Sequence, residues 1–146
     1  MSQIPEVSLG FLSFFLNFFW EVIQTSFYTM KEWAFPAMLY GWIHCTAGDV
    51  MISLGSFWIV SLVHRSRHWL LRLNRWNSMA FVIMGVFYTI VSERVNVKVF
   101  KSWGYDERMP MVPWIEVGVV PILQWVVVPS VVIMLTRHYL LLQCAK

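Results

Sequence analysis

Four long apolar stretches, separated by short polar or aromatic segments, set the pattern of this chain. A helix needs about 20 mostly apolar residues to cross the hydrocarbon layer of a bilayer. The stretches Leu9–Thr29, Trp42–Val63, Ser78–Lys98 and Ile115–Leu135 approach that length. They predict an all-α fold, an integral membrane bundle of four transmembrane helices, with residues 1–146 forming one domain.

The polar positions inside these spans fall on single helix faces. Asn17, Glu21, Gln24 and Tyr28 are spaced by four, three and four residues, and Cys45, Asp49, Ser53 and Ser56 by four, four and three. Gly85, Thr89, Ser92 and Asn96 repeat the arrangement, with Tyr88 and Glu93 beside them. Such spacing places each set on one stripe of a helix. At about 1.5 Å rise per residue, Glu21, Asp49 and Glu93 lie roughly 3, 6 and 7 Å past their span midpoints, all toward the first and third loops. Scattered polar residues have no reason to agree in depth and face, so one polar pocket lined by three or four helices is expected, in the non-cytoplasmic half.

Other positions sharpen the outline. Gly41, Gly48 and Gly55 recur every seven residues, which predicts a stripe where another helix approaches closely. Pro121 and Pro129 are expected to bend the fourth span, and the two prolines between Trp103 and Trp114 forbid ordinary helix there. That segment is expected to fold back over the mouth of the bundle as a lid. The first seven residues carry Glu6 and no Lys or Arg, so they are read as leading into a retained first span rather than a cleaved signal.

Composition agrees with a lipid-embedded chain: 58% of residues are hydrophobic and 13% charged, against roughly a quarter charged in soluble domains. The net charge of +3 owes most to Arg65, Arg67, Arg72 and Arg75, in a loop without acids. This favours anionic lipid headgroups as partners and argues against nucleic acid. Both termini and this loop share one side, with six Lys and Arg against five opposite. The opposite group is interleaved with acids, so the termini are expected in the cytoplasm, for instance across a bacterial inner membrane.

An ionisable group at bilayer depth costs about 2.5–3.5 kcal/mol on insertion scales and so demands a reason. Glu21, Asp49 and Glu93 are the candidate catalytic residues, as proton donors or acceptors. Gln24, Tyr28, His44, Cys45, Tyr88, Asn96, Gln124 and Trp125 are the candidate ligand-binding residues. A purely structural network, with Arg94 and Lys98 neutralising Glu93, is the competing reading. A metal site is disfavoured, because no C-x-x-C, H-E-x-x-H or H-x-x-x-H spacing occurs, and no nucleophile elbow points to a hydrolase. Whether a cofactor takes part is left open by the sequence.

The leading expectation is therefore a pocket that binds or converts a hydrophobic small molecule. The alternatives are a small proton, cation or metal transporter, and an accessory subunit of a homo-oligomer or larger membrane complex. The motifs Cys45-Thr46-Ala47-Gly48-Asp49, Ser92-Glu93-Arg94-Val95-Asn96, Trp103-Gly104-Tyr105, Met109-Pro110 and Gln124-Trp125 resemble those of an uncharacterised family of small bacterial four-span membrane proteins. That resemblance covers Phe19 to Pro129 and implies an architecture without an activity. In layout alone the chain is also similar to membrane-embedded sterol and carotenoid isomerases and cyclases, whose diagnostic motifs are absent.

Overall fold

The computed structural model describes residues 4–145. Four helices, α1 (Pro5–Gln24), α2 (Phe35–His64), α3 (Arg75–Arg94) and α4 (Val119–Cys144), make up the bundle. Each is long and apolar enough to cross a membrane, and the chain is an all-α, multi-pass integral membrane protein. Helices adjacent in sequence pack side by side, and α4 closes the ring against α1.

The burial pattern shows which solvent the fold expects. On α1 the buried face is Leu9, Ser13, Asn17, Glu21 and Gln24, while Phe11, Phe15, Phe19 and Ile23 lie exposed. An exposed apolar stripe over a buried polar one reverses the order of a water-soluble helix and suits hydrocarbon surroundings. Backbone groups inside a bilayer must be satisfied locally, which helices do without outside help.

Local chemistry sets the helix ends. Proline occupies the first turn of both α1 and α2, where the missing N–H is one the helix does not use. Asn74 caps α3, its side chain accepting the Asn77 N–H at 2.9 Å. Arg65 closes α2 in the left-handed region, φ 48°, and the Ser66 N–H returns to the Ser61 carbonyl at 3.0 Å. Beyond α3 the chain continues as a π-helical turn over Val95–Phe100.

Three sequence expectations are corrected. The fourth span begins at Val119 rather than Ile115 and runs on to Cys144 rather than Leu135. Ile115 belongs to a small hairpin, β1 (Met111–Val112) paired antiparallel with β2 (Val117–Gly118), and Glu116, at φ 51°, has left-handed backbone that no helix accommodates. Pro121 falls in the first turn of α4 and takes away no needed donor; Pro129 alone lies inside the helix.

The glycine stripe of α2 is not a helix-packing seam. A Cβ at Gly48 or Gly55 would meet nothing within 4 Å, and one at Gly41 would meet the Met30 methyl rather than another helix. The close approach is made at Gly85 instead, against the Trp125 ring.

Candidate functional site

A cavity of about 170 Å³ lies among the four helices near the end closed by the first and last loops. Glu21 and Gln24 reach it from α1, Asp49, Cys45 and His44 from α2, Tyr88 and Glu93 from α3, and Gln124 and Trp125 from α4. Tyr28 enters from the first loop and Asn96 from the π-helical turn. All eleven candidate residues named from the sequence thus border one space, whereas Asn17, Ser53, Ser56 and Gly85 of the same polar stripes lie outside its wall.

The reason is geometric. Polar residues three and four apart share a helix face, and in lipid that face turns inward because the bilayer offers it no hydrogen bonds. The inward stripes of α1, α2 and α3 meet Gln124 and Trp125 of α4 at this cavity. The π-helical turn shifts residues after Arg94 by part of a turn, a feature common near functional sites. Asn96 there donates back to the Ser92 carbonyl at 3.0 Å.

Gln124 is the centre of the network. Its Nε2 lies 3.0 Å from Asn17 Oδ1, 3.2 Å from Glu21 Oε1 and 3.0 Å from Asp49 Oδ2. An amide nitrogen carries two hydrogens, so three acceptors share two protons and tie α1, α2 and α4 to one side chain. Glu21 Oε1 also accepts from Gln24 at 2.9 Å. From Asn17 the polar chain continues through Ser13 to Ser53, with Asn17 Nδ2 at 3.0 Å from Ser13 Oγ and Ser13 Oγ at 2.9 Å from Ser53 Oγ. It stops there. Leu9, Phe57, Val60 and Val128 form the apolar core beyond.

Glu93 belongs to a second cluster. Its Oε2 accepts from the Tyr28 hydroxyl at 3.1 Å and the Tyr105 hydroxyl at 2.7 Å. The two rings sit 5.5 Å apart, joined by an isolated backbone bridge. Burial, with the neighbouring Glu93 carboxyl adding to it, holds both phenols well above the usual tyrosine range. They therefore keep their protons and act as donors.

The last loop is strapped across the first. The Thr29 N–H donates to the Gly104 carbonyl and the Asp106 N–H to the Phe27 carbonyl, each at 2.9 Å. Asp106 pairs with both Arg108 and Lys31, and Arg108 Nη2 reaches the Ser26 carbonyl at 2.9 Å. Hydrogen bonds from Arg108, then from Lys31, hold the Asp106 carboxyl well below the usual carboxylate range. A lowered pKa in the folded chain means that the strap is at full strength above the ordinary aspartate value and weakens as pH falls through the lowered one. Asp106→Asn is expected to speed amide hydrogen exchange at Thr29, Gly104 and position 106, whose N–H groups make the strap, several-fold at neutral pH while α1 and α4 keep their protection; unchanged exchange at these amides would refute the strap.

Several contributors escaped the sequence reading. Trp103 lines the cavity from the last loop, with Met30, Thr25 and Ile52; Tyr105 reaches Glu93 from outside the cavity lining. The two prolines and the W-x-Y motif pointed to the loop but not to these side chains, since residues far apart in sequence meet there through loop closure. Conversely, Arg94 is exposed and absent from the cavity wall, and Lys98 pairs with Glu116 outside it. Neither is the counter-charge for Glu93. Among the described residues no Lys or Arg lines the cavity, and no group of three His, Cys, Asp or Glu is close enough to hold a metal ion.

His44 and Tyr88, both exposed, also border the cavity. The cavity wall on the α2 and α3 side therefore includes side chains that also reach the outer surface of the bundle. His44 stacks on Tyr40 at 5.7 Å on this rim.

No family model matches the chain, and no solved structure matches it. A similar protein is the Na(+)/H(+) antiporter NhaA of Bifidobacterium longum, 30% identical over 99 residues. The match takes in 63% of this chain and 21% of the antiporter, so the chain spans about a fifth of the length of the curated relative it matches.

Proposed function

We propose that the cavity binds the reactive end of a small lipid-soluble molecule and that Glu21, Asp49 and Glu93 exchange protons with it. The observation that carries this reading is the meeting of three carboxyl groups from three helices in a cavity without a basic Lys or Arg in its wall. Charge balance in such a space calls for protons or for a positive centre on the guest. Carboxyl groups in both roles, one giving a proton and another taking one, are the equipment for shifting a double bond: one proton is added, one is removed, and nothing else is consumed.

Supporting features come from shape. Entry past the exposed His44 and Tyr88, between α2 and α3, would give a lipid-soluble guest a lateral way in from the hydrocarbon. The volume of about 170 Å³ is below the roughly 300–1,000 Å³ of pockets that enclose a whole drug-sized ligand. It suits the end of a longer molecule whose tail stays in the bilayer. Tyr88 and Trp125 offer π faces to developing positive charge.

Gly48 provides the direct test. It lines the cavity, and a Cβ there meets nothing within 4 Å. Gly48→Leu should fill the space and leave the helix as stable as before or better, since Leu exceeds Gly in helix propensity by up to about 1 kcal/mol. The expected result is an unchanged or raised melting temperature together with loss of a specific co-purifying lipid-soluble molecule. Retention of that molecule at the wild-type level would contradict the reading.

A second reading, binding or movement of H⁺ or Na⁺, is favoured by the similarity to the antiporter. The apolar core beyond Ser53 weighs against a through-path within one chain. Dissipation of an imposed pH or Na⁺ gradient by proteoliposomes, abolished by Glu21→Gln, would carry this second reading over the first.

A further inference from the structure

We infer that the basic loop between α2 and α3 contains a built site for a phosphate-type oxyanion, remote from the carboxylate cavity and independent of its function. Asp49 and His64 lie 15 residues apart on α2, roughly 22 Å at the helical rise. At the His64 end is a cavity of about 530 Å³ whose wall includes His64, Ser66, His68, Trp69, Arg72 and Asn77. Every one of these side chains has a hydrogen-bond donor. Among the described residues, no carboxylate takes part in the wall.

Trp69 points to a ligand rather than to a merely basic surface. It is 3% exposed, and its ring is fixed by Phe57 at 5.8 Å and Phe81 at 6.2 Å. Its Nε1 is buried without a hydrogen-bond partner. A buried N–H left unpaired costs free energy; Trp69 also borders the cavity, so an acceptor that settles against its ring and draws the covering side chains aside recovers that cost. A phosphate oxygen is an acceptor only, and the guanidinium of Arg72 can hold two such oxygens at once.

Placement adds to the chemistry. The cavity lies where two membrane-crossing helices end, and the nearby Trp76, 68% exposed, carries the Arg75 guanidinium 5.7 Å from its ring centre. An aromatic and basic belt of this kind sits at headgroup depth. Arg67 is turned away, paired to the buried Glu6 carboxyl at 2.6 Å. The loop thus divides its arginines: one anchors the start of α1, and Arg72 is left for the cavity. A phospholipid headgroup and a free phosphate ester present the same oxyanion.

The full chain in neutral detergent micelles provides the test, with native mass spectrometry and thermal unfolding as readouts. Phosphatidylglycerol, phosphatidylcholine and inorganic phosphate are the probes. Wild type is expected to retain phosphatidylglycerol in preference to phosphatidylcholine. Arg72→Gln should weaken retention about tenfold, the loss of one charge-assisted contact. Trp69→Phe, which keeps the packed ring and removes the N–H, should weaken it about fivefold. Arg75→Gln makes the same charge change outside the cavity wall and should alter it less than twofold.

If inorganic phosphate alone stabilises the wild type, and Arg72→Gln abolishes the effect, the oxyanion site stands and its ligand is a soluble phosphate. Equal losses for Arg72→Gln and Arg75→Gln would reduce the effect to the general field of the loop and overturn the proposal. So would unaffected binding in Trp69→Phe, or failure of the wild type to hold either phosphatidylglycerol or phosphate.

Discussion

Gly85→Ala is expected to be one of the most damaging single substitutions in the bundle, although alanine is the better helix former. The added Cβ would fall 1.8 Å from Trp125 Cε3 and 2.3 Å from Cζ3, far inside contact distance. Trp125 is 2% exposed and is rigid within its ring plane, so relief requires moving the whole indole or separating α3 from α4. Overpacking of this kind costs about 1–3 kcal/mol, against a propensity gain of up to about 1 kcal/mol. Because Trp125 also lines the cavity, the displaced ring should change the shape of the site as well. Thermal unfolding in detergent with indole fluorescence would record a lowered midpoint and a shifted emission. Pairing Gly85→Ala with Trp125→Leu should recover much of the loss; a single variant as stable as wild type would mean that α3 and α4 are not packed as described.

The second large effect falls on function rather than on folding. Glu21→Gln, Asp49→Asn and Glu93→Gln keep side-chain shape and a carbonyl acceptor while removing an exchangeable carboxyl proton. Asn at position 49 can still receive the Gln124 amide, now 3.0 Å from Asp49 Oδ2. Gln at position 93 can still receive Tyr28 or Tyr105, both now on Glu93 Oε2. If the carboxyls transfer protons to a guest, each variant should lower turnover by about 10²–10⁴-fold, the usual contribution of general acid–base catalysis, while the bundle melts near its wild-type temperature. A purely structural network predicts the reverse: altered melting and no chemical phenotype. Conversion of lipid extract in proteoliposomes, followed beside thermal unfolding, separates the two.

Much of this arrangement was legible in the chain because lipid leaves few options. A polar stripe such as Asn17, Glu21 and Gln24 cannot face hydrocarbon, so the period of its polar residues gave both the helix and the face that turns inward. Agreement in depth between Glu21, Asp49 and Glu93 followed from counting along antiparallel helices, and the eleven candidate residues do meet at one cavity. What they bind there is a separate matter, which spacing does not address.

The parts that could not be read depend on contacts between distant segments. Nothing local distinguishes Gly48, which faces open space, from Gly85, which receives an indole; only the neighbour decides. The hairpin over Met111–Gly118 looks like the beginning of a fourth span because Ile115, Val117 and Val119 are apolar, and the left-handed Glu116 leaves no compositional mark. Arg94 and Lys98 lie close to Glu93 in sequence, yet the helical turn carries them to the outside, while Tyr105, twelve residues away, supplies the contact.

The proposed function stands on a specific lipid-soluble guest held in the carboxylate cavity. Native mass spectrometry of gently purified wild type and Asp49→Asn, each followed by lipid extraction, tests it most directly. One defined lipid-soluble molecule is expected on the wild type and absent from an equally well-folded Asp49→Asn. Identical bulk lipid on both proteins, with matching melting temperatures, would contradict it.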